Sequence, residues 1–423
     1  MPSRALRTTL FLGLALAFTA FAQSPKEVRR VAKQGVSALP ELARFLLNPD
    51  LKVRLEAVRS IIDIGGPRTL DPLVDATRDN DPQVQVLAVN GLVNFYWPGY
   101  VRTGFAAGLR KVSAQLRSRF SDPDDVIIDP YIIVRPEVIS AIGRVARSGA
   151  SLDARATAAR AVGVLRGKQA IPDLIEALRS RDSDVILESL VALQKIRDSK
   201  ACPGIHYLVN DLDEKVQIEA VSANGVLNCR EAKDDLRAVL QRTDRDKVRE
   251  AALSAVAMMA EPRDRALFAN YVNSPADRLR IAAAEGFARL ASIDDAHQMQ
   301  ALYDAETRNL PRLALSFALV MEGNLTMTEF APLRYLIYSL NNAAYRDSAT
   351  AYLTEAARNP EILRALYGAL TDGTRDEKIF LARVIGASGD QSSVKPLEAL
   401  SADPDAAVAQ EGVRQLRNLQ SRI

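Results

Sequence analysis

Asp50-Leu51-Lys52-Val53-Arg54-Leu55-Glu56-Ala57-Val58 is answered 31 positions later by Asp81-Pro82-Gln83-Val84-Gln85-Val86-Leu87-Ala88-Val89. Each stretch reads as a short amphipathic helix, with apolar residues spaced to share one face. A fixed period of this length, filled with helical patterning, marks stacked helical hairpins. With Ala57 as anchor, equivalent positions fall at Ala88, Ala158, Ser189, Ala220, Ala252, Ala283, Ala314, Leu381 and Gly412. The two long gaps, 70 residues before Ala158 and 67 before Leu381, predict one degenerate repeat in each, the second near Thr350.

A second helix follows the first in each unit. It is clearest in Ala170-Ile171-Pro172-Asp173-Leu174-Ile175-Glu176-Ala177-Leu178 and is echoed in Leu39-Pro40-Glu41-Leu42, Asp71-Pro72-Leu73-Val74 and Lys395-Pro396-Leu397. Leu174, Ile175 and Leu178 read as inward, and Asp173, Glu176 and Arg179 as outward. Asn48-Pro49, Asp81-Pro82 and Ser274-Pro275 read as caps followed by proline at the first helical position. Helices of about twelve residues are marginal alone in water, so each hairpin needs its neighbours to cover its apolar sides. The fold expected is all-α, a right-handed α-α superhelix of about twelve helical hairpins.

The phrase D-x-x-V-R-x-x-A-V followed by A-I-P-x-L-I-x-A-L resembles the short HEAT-type repeat, the kind also found in phycobilin lyases. The resemblance runs from about Ser37 to Leu419, fails around 95–135 and blurs around 325–370. It implies a HEAT-like solenoid whose second helices line a concave side. It also implies a structural ladder between neighbouring units, made by the first-helix aspartate and the arginine after valine. That ladder is partial here: Asp50 has Arg54, Asp213 has no arginine after Val216, and Arg249 has no aspartate at 245.

Residues 1–22 read as a cleaved signal peptide, with Arg4 and Arg7 ahead of the apolar run Thr9–Thr19 and the cleavage signal Ala20-Phe21-Ala22. The mature chain, 23–423, is then periplasmic or secreted. No cysteine follows the cleavage site to take a lipid, and no later segment reads as a transmembrane span. The sequence holds 55 basic and 52 acidic residues. Without Arg4 and Arg7 the charge is nearly balanced, so whole-molecule attraction to nucleic acid is not indicated.

Catalytic patterns are missing from the sequence. His206 and His297 stand in different repeats, and no Ser/His/Asp grouping, C-x-x-C pair, P-loop or Rossmann fingerprint occurs. No catalytic, cofactor or metal residues are assigned, and the chain reads as a non-enzyme. His206, on the inward side of a second helix, reads as a half-buried, hydrogen-bonded side chain.

The segment 95–135 is an irregular insertion. Phe95-Tyr96-Trp97-Pro98-Gly99-Tyr100 breaks the helical pattern, and Phe105, Leu109, Val112, Leu116 and Phe120 then form a narrow apolar stripe flanked by Arg110 and Arg117. It reads as an enlarged hairpin packed on its neighbours, as a protein-binding element, or as a membrane-surface helix. Tyr96, Trp97, Tyr100, Arg110 and Arg117 are therefore candidate partner-binding residues. Tyr207 joins them because it takes the outward place of Glu176, among the tyrosines Tyr271, Tyr303, Tyr335, Tyr338 and Tyr367 of later second helices. Cys202 and Cys229 fall in inter-helix turns of adjacent repeats, and either pair as a disulfide or remain two small buried residues. The leading expectation is a scaffold that binds a protein or peptide on its concave side. The alternatives are a phycobilin-lyase-like enzyme or carrier of a planar ligand, and a nucleic-acid-binding HEAT-type protein.

Overall fold

The computed structural model describes residues 24–100 and 127–423, and every regular element among them is helical. Among the described residues the helices pair into eleven hairpins. In chain order these are α1 (Pro25–Ala32) with α2 (Leu39–Phe45), α3 (Leu51–Ile64) with α4 (Leu70–Ala76), α5 (Pro82–Tyr96) with α6 (Pro136–Ser148), and α7 (Leu152–Val164) with α8 (Ile171–Ala177). Next come α9 (Ser183–Ile196) with α10 (Cys202–Ile205), α11 (Glu214–Val226) with α12 (Lys233–Arg242), α13 (Asp246–Met258) with α14 (Arg265–Tyr271), and α15 (Asp277–Leu290) with α16 (Ala296–Ala305). The last are α17 (Asn309–Met321) with α18 (Pro332–Ser339), α19 (Arg346–Ala356) with α20 (Pro360–Asp372), and α21 (Arg375–Ser388) with α22 (Val394–Leu400); α23 (Ala406–Gln420) closes the stack. Each odd-numbered first-row helix up to α5 touches the next, and from there α5, α7, α9 and so on to α23 form one unbroken row. The result is an α-solenoid with a continuous core.

The repeat motif explains this row. Asp50, Asp81, Asp182, Asp213 and Asp405 cap their helices, each accepting a backbone N–H from the first turn. The anchor positions from Ala57 to Leu381 are sealed from water. Small residues also let the helices touch further along: a Cβ on Gly163 would stand 2.8 Å from the Ala192 Cα, and one on Gly225 would stand 2.8 Å from the Ala255 Cα. Asn48 and Ser274 are not helix caps. Asn48 accepts the Asp50 N–H and Ser274 accepts the Ala276 N–H, both inside the turn that precedes the helix. Proline serves equally in such a turn, so the dipeptide alone does not place the helix start.

A polar ladder joins the units, with a different register from the one the motif implies. The Arg54, Gln85, Arg249, Arg280 and Arg346 side chains each donate to the carbonyl six residues upstream, at the exit of the preceding second helix. Arg54 also pairs with Asp79 at 2.7 Å, not with the capping Asp81, and Arg280 pairs with Glu306 at 3.0 Å. These side chains satisfy helix C-terminal carbonyls that would otherwise be orphaned.

Two repeat assignments change. The 70-residue gap before Ala158 holds no extra repeat among the described residues: α5 packs directly on α7, and α6 takes the second-row place beside α4 and α8. The described residues 97–100 and 127–135 therefore lie between the two helices of one hairpin, and α5 itself continues through Phe95 and Tyr96. A spacing of two periods and one period plus a long connection look alike in a sequence. At the N-terminal end the stack gains α1, which completes the hairpin whose second helix carries Leu39-Pro40-Glu41-Leu42. Near Thr350, by contrast, α19 and α20 form a complete hairpin.

The stack curves back on itself. The Ile128 N–H donates to the Val164 carbonyl at 3.0 Å, which fixes the end of the long connection on α7. The adjacent Asp129 carboxylate accepts from Arg414 of α23 at 2.7 and 3.1 Å, across 285 residues of sequence. Partly exposed pairs contribute about 1 kcal/mol at most. Arg414→Ala should therefore leave the helices folded but broaden the distance between spin labels placed at residues 133 and 413. An unchanged distribution would mean that other contacts hold the closure.

Candidate interaction surface

Sequence candidates from the long connection split in two. Arg110 and Arg117 lie outside the described residues, as do residues 1–22. Tyr96, Trp97 and Tyr100 are half-buried and pack against the core. The Tyr96 hydroxyl accepts the Arg135 N–H at 3.1 Å, and its ring meets Phe95 edge to face. Burial pushes the Tyr100 phenol up, beside the Arg160–Glu188 ion pair that links α7 to α9. These three aromatics fill space where the connection leaves α5.

Tyr207 is different. It is 56% exposed, and its hydroxyl donates to the Leu178 carbonyl of the neighbouring hairpin at 3.1 Å. The His206 imidazole next to it is bonded to the Asp235 carboxylate of α12. Cys202 and Cys229 form a disulfide, with Cα atoms 5.4 Å apart, that ties the start of α10 to the turn ahead of α12. Asp173, read as outward, is half-buried and pairs with Arg147 at 3.0 Å, because α6 packs over it.

The later tyrosines divide by environment. Tyr303 is buried and donates to the Phe330 carbonyl at 2.6 Å. Tyr367 shares hydrogen bonds with Ser392 and Ser393. Tyr338 is 64% exposed, and Phe330, just before α18, is 68% exposed. The second row thus presents aromatic side chains at Tyr207, Phe330 and Tyr338.

Two features had no sequence signal. A cleft of about 330 Å³ between α14–α15 and α16–α17 is lined by Val272, Pro275, Leu302, Pro311 and Leu315 and crossed by the Arg280–Glu306 pair. Glu322, at the end of α17, buries both carboxylate oxygens without a hydrogen-bond partner, and Oδ2 of nearby Asp295 is likewise unpaired. Burial, and then repulsion from Asp295, push the Glu322 pKa up to about 7; Asp295 is itself held by Arg265. A carboxyl raised on folding stabilises the native state fully below its unfolded value of 4.5 and loses that contribution as pH rises through about 7. The melting temperature should therefore fall from about pH 5 to pH 8, and Glu322→Gln should flatten that fall. Equal slopes in both proteins would remove Glu322 as the cause.

Among the described residues, no group of three His, Cys, Asp or Glu is placed to hold a metal ion, and no helix is long and apolar enough to cross a membrane. No curated protein matches the sequence. Many solved structures are similar, and three of them illustrate the low identity. An engineered protein is 18% identical over 90% of this chain and 98% of its own, with a TM-score of 0.38. The complex of CpcE and CpcF of phycocyanin lyase from Nostoc is 17% identical over 67% and 96%, with a TM-score of 0.38. The karyopherin Kap121p, bound to the extreme C-terminus of the protein phosphatase Cdc14p, is 13% identical over 92% and 47%, with a TM-score of 0.41. Residues 203–288, from α10 into α15, match the family of HEAT repeats, and residues 154–180, across α7 and α8, match the PBS lyase HEAT-like repeat.

Proposed function

We propose that the chain is an exported, non-catalytic scaffold that binds a protein or peptide partner along its second-row surface. The observation that carries this reading is the exposure of Tyr207, Phe330 and Tyr338 on a row whose equivalent positions elsewhere hold charged side chains such as Glu176. Aromatic side chains at a surface are favoured anchors for partners, and solenoids offer them on an extended face. Export after Ala22 is supported by the Cys202–Cys229 disulfide, since such bonds persist in oxidising compartments. Its test is the mass of the protein recovered from the periplasm or medium, which should begin at Gln23. The binding reading is tested by pull-down from the same fractions with wild type and a Tyr207→Ser/Tyr338→Ser variant. Loss of a partner from the variant supports it, and identical recovery counts against this surface.

A second reading, a carrier or enzyme for a planar tetrapyrrole, is favoured by the phycobilin-type repeat at 154–180. Absorbance of the purified protein with added bilin decides it: no spectral change removes the idea.

A further inference from the structure

Arg312, in the first turn of α17, is half-buried, and its Nε–H has no hydrogen-bond partner. The guanidinium carbon lies 4.5 Å from the centre of the Tyr303 ring and 5.4 Å from that of Tyr335. Those two rings meet edge to face at 6.2 Å. Arginines around it are committed to carboxylates: Arg308 to Asp277, Arg334 to Glu377 and Arg346 to Asp376. Arg312 has no such ion pair among the described residues. Two π faces hold and orient a cation, but they do not neutralise it.

The surroundings are fixed by hydrogen bonds. The Tyr335 hydroxyl donates to Asn309 at 3.3 Å, and the Asn309 amide donates to the Tyr345 hydroxyl at 2.8 Å. The Tyr303 hydroxyl holds the Phe330 carbonyl, and Phe330 sits at a φ of 65°. A non-glycine residue in this left-handed region is strained. Here the strain is accepted by an aromatic residue whose ring faces water. Tyr338, one helical turn beyond Tyr335, adds a second exposed ring.

We propose that Arg312, Phe330 and Tyr338 form a docking site for an extended peptide segment that presents an aspartate or glutamate beside an apolar side chain. The inference rests on the scaffold reading and specifies its partner. The carboxylate supplies the charge that Arg312 lacks, pairing with the terminal amino groups because the Nε–H is sealed from water. The apolar neighbour covers the two exposed rings, which are the residue type that most often anchors interfaces. Because the whole chain is close to neutral, recognition is local and weakens with salt.

The test is selection of displayed random peptides on the full chain, followed by anisotropy of the fluorescein-labelled consensus peptide. The expected consensus places an acid next to an aromatic or aliphatic residue. Its Kd should weaken at least about tenfold in Arg312→Gln and several-fold in Tyr338→Ser. The peptide with its acid changed to the matching amide should lose as much. Tyr338 is exposed, so its variant folds and keeps the test valid if Arg312→Gln does not. A consensus without an acid, or binding unchanged by both substitutions, overturns this site while leaving the scaffold reading intact, since the peptide then binds elsewhere on the solenoid. Selection that enriches no peptide also overturns it, and the pull-down decides the scaffold reading separately.

Discussion

Phe268→Ala should cost the protein about 3–5 kcal/mol and uncouple its two ends. Phe268, in α14, is fully buried and meets Phe287 of α15 edge to face at 6.1 Å. Its ring lies against the backbone of Gly286, where a Cβ would come within 2.6 Å of three ring atoms. Glycine there is shaped to this ring, so truncation leaves a cavity that α15 cannot fill by shifting a side chain. Each hairpin touches only its neighbours over most of the stack, so the loss falls on one joint. Hydrogen exchange should show protection lost from α13 to α16 while α1 to α5 remain protected. Leu174→Ala, at a sealed position in α8, should cost about 2–5 kcal/mol and move the weak point to that joint. Loss spread evenly over all helices would show that the solenoid unfolds as one unit and would remove the local account.

What could be read in advance follows from where the repeat constrains chemistry. Position Asp50 and its equivalents must cap a helix, and Ala57 and its equivalents must let two helices touch, so both leave a periodic trace. Asp129 and Arg414 meet once, across the closure of the curve, and nothing periodic records them. Arg54 could be recognised as a ladder residue, but its partner at Asp79 could not, because Asp81 satisfies the same spacing rule and differs only in being spent on its own helix N-terminus. Trp97 and its neighbours stood out as candidates because they interrupt the pattern; the interruption marks the exit of a long connection, and the aromatics pack there. Arg312 is one position out of register with Arg280, which is why it misses the ladder. Only the folded chain shows that two tyrosines enclose it.

Arg289→Met should cost about 3–5 kcal/mol at neutral pH, with most of that cost disappearing in acid. Arg289 of α15 reaches Glu355 of α19 through two parallel hydrogen bonds of 2.8 Å, passing the intervening α17. It also stands 3.5 Å from Glu285, whose carboxylate accepts the Tyr352 hydroxyl at 2.7 Å. The Tyr352 ring stacks on Phe317 of α17 at 4.8 Å, and burial holds the Tyr352 phenol well above its ordinary value. Three first-row helices are thus joined around one cation. Methionine keeps much of the volume, so the dominant loss is electrostatic: two carboxylates, Glu285 and Glu355, remain beside a buried ring with no cation between them. Burial and their mutual repulsion oppose the charged carboxylates, and acid, which discharges carboxylates, relieves that cost. Urea denaturation of Arg289→Met should therefore approach wild type near pH 4–5 and fall away above it. Adding Glu355→Gln should recover part of the loss at neutral pH, because one of the two uncompensated charges is gone. A deficit of equal size at every pH would make the role of Arg289 one of packing, and the link from α15 to α19 would then rest on Phe317 and Tyr352 alone.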